Sequence, residues 1–537
     1  MSTISTETIA DALSLTARLM ELHEENPFKI KSLANAAFRL SKTQLELNGL
    51  SNEELEKIEG IGKSIAGKII EIQQSGSTRE LDVLLEKTPK GVIEMLDVKG
   101  IGPKKVAQLW HELHVESPGE LLYACYENRL VDLKGFGIKT QETVKKAIEF
   151  KLSNAGKFHY ASVEKMALEL VEKLKKELHT KHVCLTGEIR RKNEVIDKIE
   201  LLVVSAEKID SEKYSKETGI AVHIEYSNHE DFYFDLLRTS SAPKHLEGIQ
   251  FDTLQRKNFT SEEEIYTALG LPYVEPELRE GFIELEPVRK NNIPRLIELS
   301  DLKGALHNHS KYSDGLNTLS EMALYCKELG YEYLGICDHS KTAVYANGLT
   351  EERIIQQHAE IDQLNKTLAP FKILKGIESD ILNDGSLDYS EDILKTFDFI
   401  VASVHQNLKM DEEKATARLI KAIENPYTTI LGHPTGRLLL GRPGYPINHK
   451  KVIDACAANK VIIELNAHPY RLDIDWRWIP YCIEKGVMIS INPDAHATRG
   501  YHDMYYGVCV ARKGMLTAAM CLNAMSLAEI EKCFSVL

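Results

Sequence analysis

FKILKGIE (371–378) and FIVASVH (399–405) are two short apolar runs, and each ends in a residue that can bind a metal ion. The pattern recurs on both sides of this pair, in ALHNH (305–309), YLGICDH (333–339), TTILGHP (428–434), VIIELNAH (461–468) and VMISINPDAH (487–496). Helix-length stretches separate the runs, such as 319–330, 412–424 and 450–460. Alternating strands and helices are typical of parallel βα units. In a closed βα barrel the strand C-termini open on one face, which is therefore the predicted site.

The polar residues around the ends of these runs form one chemically consistent set. It contains six imidazoles and three carboxylates: His307, His309, Asp314, His339, Glu378, His405, His433, Asp494 and His496. Carboxylates crowded into one cleft would take up protons unless cations neutralised them, so bound divalent metals are predicted. Mixed ligands of this kind favour Mn²⁺ or Zn²⁺, with Fe²⁺ as a further option, and nine of them imply two or three ions. Any single histidine of the set could instead be a strand-end residue that is bonded to backbone.

The motifs LHNHSKYSDG, ICDHS, GIES, SVHQ, LGHPTGR and NPDAH resemble those of the polymerase and histidinol phosphatase (PHP) domain, a trinuclear metallo-phosphoesterase on a seven-stranded βα barrel. LGHPTGRLLLGRPGYPI (431–447) and LDIDWRW (472–478) resemble more narrowly the PHP domain that is fused to bacterial family X DNA polymerases. The resemblance implies 3′–5′ exonuclease activity, with abasic sites or 3′-phosphates as further substrates.

The same resemblance implies an assignment of ligands to ions. One metal would be held by His307, His309, Glu378 and Asp494, a second by Glu378, His405 and His433, and a third by Asp314, His339 and His496. Arg437 and Arg471 lie near ligand loops in the sequence and are candidates for binding phosphate oxygens. Either could equally be a surface arginine paired with a carboxylate.

The composition of the 537-residue chain, with 43% hydrophobic and 27% charged residues, is that of an ordinary multidomain globular protein. We expect a cytoplasmic location and no membrane association, because no apolar run could span a bilayer and the N-terminus lacks a signal-peptide pattern. The nine cysteines include no CxxC pair, which favours reduced thiols. The net charge of −14 means that any DNA contact must come from local geometry rather than bulk attraction.

Three copies of an apolar-Gly-apolar-Gly turn lead into helices near the N-terminus. They are IEGIGKSIAGKI (58–69), VKGIGPKKVAQL (98–109) and LKGFGIKTQETVKKAI (133–148). Glycine permits the tight turn, and the free N–H groups of the following helix bind an anion. Each copy is interpreted as a helix-hairpin-helix that grips a DNA phosphate without reading the base. The candidate DNA-binding residues are Gly60, Gly62, Lys63, Gly100, Gly102, Lys104, Lys105, Gly135, Gly137 and Lys139.

Residues 1–150 as a whole resemble the small N-terminal domain and fingers of family X polymerases. Lys68 falls where the lyase members of that family carry the lysine that forms a Schiff base with an abasic sugar. We prefer the interpretation that Lys68 neutralises a phosphate, because a reactive lysine needs a lowered pKa that sequence alone does not reveal.

HVCLTGEIRRKNEVIDKIELLVV (182–204) resembles the palm signature of the family, in which Gly-Ser precedes two arginines and a strand then presents two aspartates. Here Glu188 replaces the serine, Lys198 and Glu200 replace the aspartate pair, and His223 stands where a third aspartate belongs. Nucleotidyl transfer needs those acids to hold Mg²⁺. We therefore expect the palm fold to persist while DNA polymerase activity is lost or very weak.

The sequence thus predicts a multidomain protein with an α-helical helix-hairpin-helix region, an α+β nucleotidyltransferase-like palm and thumb, and a C-terminal (β/α)7 PHP barrel. The expected boundaries are 1–80 (small helical domain), 81–155 (fingers), 156–250 (degenerate palm), 251–300 (thumb and linker) and 301–537 (PHP domain). The predicted function is a DNA-repair-type, metal-dependent 3′–5′ exonuclease that acts as a monomer on gapped, nicked or 3′-recessed DNA.

Two alternative functions remain open at this point. A small-molecule phosphatase of the histidinol-phosphatase type would need only the barrel and leaves the three hairpins unexplained. A non-catalytic DNA-binding scaffold would be favoured if the PHP ligands had been replaced as the palm aspartates have been, but all nine are present.

Overall fold

The computed structural model describes residues 4–42, 47–131, 133–154 and 156–536. The chain divides into two compact units, residues 1–149 and 150–537, which are described separately. None of the described helices is both long enough and apolar enough to cross a membrane.

The first unit is built of helices throughout its described residues. They are α1 Thr6–Leu22, α2 Pro27–Lys42, α3 Asn52–Leu55, α4 Lys63–Ser75, α5 Arg79–Lys87, α6 Lys90–Met95, α7 Pro103–Leu113, α8 Pro118–Tyr126 and α9 Ile138–Asn154. Side chains cap several N-termini, as where Ser117 accepts a hydrogen bond from the Glu120 N–H of α8. Helix α1 contacts α2, α4, α5 and α7, and it buries Leu13 and Met20 completely. The predicted helical character of this region is confirmed.

The second unit begins with a small α+β region around a three-stranded sheet. In this sheet β2 (Val183–Leu185) runs antiparallel to β4 (Lys198–Val204), which pairs in parallel with β5 (Ala221–Ser227). A separate ladder joins β1 (Phe158–His159) and β3 (Val195–Ile196). Side chains alternate along a strand, so β4 buries Ile199 and Leu201 while Lys198 and Glu200 lie on the other face.

Helices surround this sheet and continue into the predicted thumb. They are α10 Tyr160–Glu177, α11 Gly187–Arg190, α12 Ser211–Thr218, α13 Phe232–Ser240, α14 Pro243–Gly248, α15 Glu262–Ala268 and α16 Leu285–Arg289. The carboxylate of Glu262 ties the two regions together. It accepts hydrogen bonds from both guanidinium nitrogens of Arg190 (2.9 and 2.5 Å) and from Arg279 (2.5 Å), and Arg279 is fully buried.

The C-terminal part is a seven-stranded, all-parallel sheet that curls into a nearly closed barrel. Its strands, in the order in which they pair, are β6 Gly304–Ala305, β7 Tyr333–Ile336, β8 Lys372–Asp380, β9 Phe399–Ser403, β10 Ile430–Leu431, β11 Ile462–Asn466 and β12 Ile489–Asn492. Beyond the last strand, the His309 N–H donates to the Ala495 carbonyl (2.9 Å), which links the first strand end to the last. The predicted (β/α)7 barrel is confirmed.

The helices between and after the strands are α17 Leu319–Glu328, α18 Glu351–Leu368, α19 Glu391–Leu394, α20 Glu412–Ile423, α21 His449–Asn459, α22 Ile479–Glu484, α23 Met504–Lys513 and α24 Leu527–Val536. Apolar strand residues such as Ile377, Ile463 and Ile491 pack against these helices in one large core. The strand ends are thereby held by packing, and the polar residues that follow them start from fixed positions.

Helix α23 joins the barrel to the palm and thumb within this second unit. Its last residue, Lys513, is 1% exposed, and its ammonium donates to the Arg191 carbonyl (2.9 Å), Asn193 Oδ1 (2.9 Å) and Glu280 Oε1 (2.7 Å). All three acceptors come from outside the barrel. At the other edge, His159 Nε2 donates to the Leu439 carbonyl (2.8 Å) in a loop of the barrel.

Candidate metal centre and DNA-binding elements

The nine predicted ligand residues lie at or just beyond the C-terminal ends of the barrel strands. Their side chains are almost entirely buried, with at most a few per cent exposed. His307 and His309 follow β6 two residues apart and therefore project to the same side, with ring centroids 5.2 Å apart. The structure brings all nine residues into one cluster at the face where the strands open.

Glu378, near the end of β8, is the centre of this cluster. Its carboxylate lies close to five imidazoles: Oε1 is 3.3 Å from His307 Nε2, 3.1 Å from His405 Nε2 and 3.0 Å from His433 Nε2, and Oε2 is 2.9 Å from His339 Nδ1 and 3.7 Å from His309 Nε2. A carboxylate with different histidines on each oxygen has the arrangement expected of a bridge between two ions.

The other two acids of the set also contact its histidines. Asp494 Oδ1 is 3.0 Å from His309 Nε2. Asp314 lies between two other histidines, with Oδ2 3.6 Å from His339 Nε2 and Oδ1 3.3 Å from His496 Nε2. These contacts join Asp494 and Asp314 to the same group of histidines that surrounds Glu378.

Three overlapping groups of ligand atoms in the cluster are small enough to hold an ion, with all atoms of a group within 4.8 Å of one another. They are His307–His309–Glu378, His339–Glu378–His405 and His309–Asp314–His339–His496. The ligand atoms are placed to bind a metal ion rather than to form hydrogen bonds with one another. His339 Nδ1 and Glu378 Oε2, though 2.9 Å apart and buried, make no well-formed hydrogen bond with each other or with other described residues. Buried polar atoms rarely lack partners, so these two atoms are suited to bind a divalent ion.

Protonation states in the cluster also suit metal ligands. Burial would raise the pKa of Glu378, but His405, His307 and His339 beside it hold that pKa well below its ordinary value. Burial lowers the pKa of His309 to about 3, so its ring is neutral. His307 and His405 differ, because neighbouring carboxylates overcome their burial and raise both pKa values: Glu464 and Glu378 raise that of His307 well above its ordinary value, and Glu378 and Asp380 raise that of His405 to about 10. An ion that binds there must displace a proton from His405.

Three further buried carboxylates support the ligands and were not singled out in the sequence. Glu464, in the middle of β11, accepts from His307 Nδ1 (2.7 Å) and from the His433 backbone N–H (2.7 Å). Asp380 pairs with His405 Nδ1, and Asp338 orders the loop that carries Asp314 by accepting from the Ser310 and Ser313 N–H groups. A carboxylate inside an otherwise apolar strand is costly to bury alone. That signal was available for Glu464 in VIIELNAH.

The two candidate phosphate-binding arginines occupy different surroundings. The Arg437 guanidinium donates to Asp475 Oδ2 (2.8 Å) and to the carbonyls of Arg471 (2.9 Å) and Leu472, so it orders the loop after β11. Arg471 is 4% exposed, and its Nε lies 3.7 Å from Oδ2 of the ligand Asp494. Of the two, Arg471 is therefore the one that lies against the metal cluster.

The three glycine turns of the first unit share one backbone geometry. The first glycine of each turn has a positive φ, +90° at Gly60, +100° at Gly100 and +84° at Gly135, which strains any other residue. The second glycines have no such requirement, and a Cβ at Gly62, Gly102 or Gly137 would meet no described atom within 4 Å. The start of each following helix is thus open to an incoming phosphate.

The lysines near these turns are not equivalent. Lys63, Lys104 and Lys139 are exposed, whereas Lys105 lies over the Phe136 ring, with Nζ 4.8 Å from the ring centroid. Lys68, the candidate lyase residue, forms an ion pair with Glu80 and is 19% exposed. Its charge is balanced within the protein.

Comparison with known proteins gives matches along most of the chain. Family models match a helix-hairpin-helix domain over residues 5–78, a SAM-like helix-hairpin-helix tandem over 92–149, a DNA polymerase beta thumb over 243–280 and a PHP domain over 305–468. The DNA polymerase/3′-5′ exonuclease PolX of Bacillus subtilis (strain 168) is 34% identical over an alignment 558 residues long, gaps included, which covers 97% of each chain. The chain belongs to the family X DNA polymerases that carry a PHP domain. The resemblance found in the sequence is confirmed.

Proteins named as probable phosphatases match a smaller part of this chain. A probable phosphatase of Clostridium novyi (strain NT) is 29% identical over 202 residues, which are 36% of this chain and 78% of the relative. A probable phosphatase of Caldanaerobacter subterraneus subsp. tengcongensis is 40% identical over 135 residues, which are 23% of this chain and 51% of the relative.

The palm of this family X polymerase has an ion pair where the catalytic aspartates were expected. Lys198 Nζ lies 3.3 Å from Glu200 Oε1, and His223 is exposed opposite Glu200 on the neighbouring strand. Glu200 Oε2 accepts from the Glu188 N–H (3.0 Å) and lies against Gly187, where a Cβ would be 1.8 Å away. The Glu200 carboxylate is therefore engaged by Lys198 and by the start of helix α11.

Proposed function

We propose that this chain is a DNA-processing, metal-dependent phosphodiesterase whose PHP barrel removes nucleotides from 3′ ends, and whose DNA polymerase activity is absent or very weak. One contrast carries the proposal. The barrel retains all nine ligand residues in one cluster, and their side chains are at most 7% exposed, whereas the palm has a Lys198–Glu200 ion pair at the positions of two catalytic acids.

The cluster would hold two or three divalent ions, Mn²⁺ or Zn²⁺ or Fe²⁺, because imidazole and carboxylate ligands are mixed throughout. We assign His307, His309, Glu378 and Asp494 to one ion, Glu378, His405 and His433 to a second, and Asp314, His339 and His496 to a third. When bound, such ions lower the pKa of water and neutralise charge on phosphate oxygens. The surrounding chain fixes the ligands through Glu464, Asp380 and Asp338.

The protein side chains contribute charge and position to the reaction. Arg471, next to Asp494, places a cation at the edge of the cluster, where it would bind a non-bridging phosphate oxygen. The barrel buries the ligand side chains almost completely, and a site with little water strengthens each charge–charge interaction. The three hairpins would hold the duplex by its phosphates, so that binding is independent of base sequence.

The palm would not support nucleotidyl transfer. The Lys198 ammonium places a positive charge where Mg²⁺ must bind, and Glu188 adds a negative charge near the position of an incoming triphosphate. The palm would then serve to hold DNA and to brace the barrel.

The substrate we propose is gapped, nicked or 3′-recessed DNA, with abasic or 3′-phosphate ends as further substrates, and a monomer suffices because the cluster is complete within one chain. We propose that the reaction takes place in the cytoplasm. We expect Lys68 to act by charge rather than as a Schiff-base nucleophile.

The test uses a 3′-recessed duplex, labelled at the 5′ end of the shorter strand, incubated with Mn²⁺ with and without dNTPs. We expect a ladder of shorter products in both cases, none for Glu378→Ala, and no extension. Extension by the wild type would refute the loss of polymerase activity. Hydrolysis of p-nitrophenyl phosphate without cleavage of the duplex would favour the small-molecule phosphatase instead.

A further inference from the structure

A short 3₁₀ helix, Val344–Ala346, lies next to the metal cluster and exposes apolar surface. The Val344 side chain is 81% exposed. The ring of Tyr345, which is half-buried, has its centroid 6.2 Å from that of the ligand His339, at an angle of 58°. Single exposed apolar residues are common and need no explanation, so exposure alone decides nothing here. The position of this exposed surface beside a metal ligand is what indicates a function.

The loop that presents these two residues is tightly fixed. The Ala343 N–H donates to the Ser340 carbonyl (3.0 Å), and the Gly348 N–H donates back to the Ala343 carbonyl (3.1 Å). Gly348 approaches so closely that a Cβ there would lie 1.9 Å from the Ser340 oxygen. Arg353 donates to the Gly348 carbonyl (3.3 Å) from the following helix. The exposed surface is therefore preorganised, and little entropy is lost when a ligand covers it.

The occupant follows from what must bind at the cluster. A 3′ end can be cleaved only if its last phosphodiester lies on the ions, and the terminal base then lies one nucleotide's reach from them. Nucleobases stack on aromatic and apolar side chains whatever their identity, because every base has a π face. Such a contact suits an exonuclease that must accept all four bases.

We infer that Tyr345 and Val344 form a platform on which the base of the 3′-terminal nucleotide stacks during cleavage, so that Tyr345 positions the scissile phosphate. The inference rests on the proposed exonuclease function and adds a base-binding site to it.

The test compares two duplexes that differ only at the 3′ end. One ends in a normal nucleotide, and the other ends in a tetrahydrofuran abasic nucleotide, which has no base to stack. For Tyr345→Ala we expect KM to rise about 5- to 150-fold on the normal duplex, from the usual strength of base–aromatic stacking. KM on the abasic-ended duplex should stay at the wild-type value, and the metal content should be unchanged.

Two matched variants separate stacking from other effects. Tyr345→Phe keeps the ring face and should behave like the wild type on both duplexes. Ile355→Ser removes another exposed apolar side chain, 68% exposed on helix α18, and should change neither KM.

The outcomes distinguish the platform from the function on which it rests. Equal losses of Tyr345→Ala on both duplexes, or no loss on either, would overturn the platform while leaving the exonuclease intact. Cleavage of neither duplex by the wild type would overturn the proposed function, and the platform with it.

Discussion

Replacing Glu378 by Ala should remove more than one metal ion from each protein molecule. Glu378 belongs to two of the three ligand groups, His307–His309–Glu378 and His339–Glu378–His405, and is absent from the group that contains Asp314 and His496. Its two oxygens face different histidines. The substitution therefore takes a ligand from two ions at once and leaves their charges unscreened, whereas His496→Ala takes a ligand only from the third.

The expected loss of activity follows from the same geometry. An ion that neutralises phosphate charge lowers a barrier by several kcal/mol. At about 1.4 kcal/mol for each tenfold in rate, loss of such an ion should slow cleavage by at least about a thousandfold. Glu464→Gln provides the comparison, because Glu464 contacts His307 from behind and is in none of the three ligand groups. Removing a residue that only orients a ligand costs roughly 10- to 100-fold.

Metal content by elemental analysis, after Mn²⁺ loading and dialysis, is the deciding measurement. Wild type, Glu378→Ala, His496→Ala and Glu464→Gln are compared, with circular dichroism to show that each is folded. A Glu378→Ala protein that keeps the full wild-type complement of ions would refute the bridging assignment. Cleavage rates of the same samples show whether loss of ions and loss of rate run in parallel.

Three other predictions concern DNA binding and stability. Changing Gly100 and Gly102 to Val should weaken binding of a 3′-recessed duplex by about tenfold or more in fluorescence anisotropy, with metal content intact; a steep salt dependence without any effect of these changes would place the footprint elsewhere. Burial lowers the pKa of His159 to about 4, so the unfolded chain takes up a proton first and stability is lost as pH falls from about 6.5 toward 4. Between about pH 7.5 and pH 5 this should remove about 2 kcal/mol, and urea unfolding of His159→Gln should lack that component. Glu262→Gln leaves the buried Arg279 and the partly exposed Arg190 without their carboxylate and should lower the free energy of unfolding by about 3–5 kcal/mol, while Glu286→Gln, at an exposed ion pair, should not change it measurably.

The barrel could be predicted because its strands carry two signals at once. An apolar run such as FIVASVH gives the strand, and the polar residue at its end, here His405, gives the open face. The positions of the nine ligand residues followed from the fold class, since parallel strands of a barrel end on the same side. Which ligands share an ion came only from the family resemblance and not from the strand pattern, because it depends on side-chain separations of a few ångströms.

The contacts of loop residues could not be predicted from the sequence. Arg437 and Arg471 are equally near ligand motifs along the chain, yet only the folded loop shows that Arg437 is bound to Asp475 and Arg471 to the edge of the cluster. The palm also contains a contact that could not be predicted from the sequence. The replaced acids were visible in the sequence, but the engagement of Glu200 by the Glu188 N–H was not, because it depends on the positive φ of Gly187.

The buried lysine at the end of helix α23 has a practical consequence for anyone who wishes to isolate the barrel. A fragment that starts at the sequence boundary near residue 301 would keep Lys513 but lose Arg191, Asn193 and Glu280, so an ammonium group that is now 1% exposed would lose its acceptors. The newly bared surface would also include Tyr505, whose hydroxyl donates to Glu164 (2.6 Å). A truncation that begins after residue 149 cuts where the chain itself divides and keeps these contacts. The smallest fragment that keeps these contacts is therefore larger than the PHP domain alone.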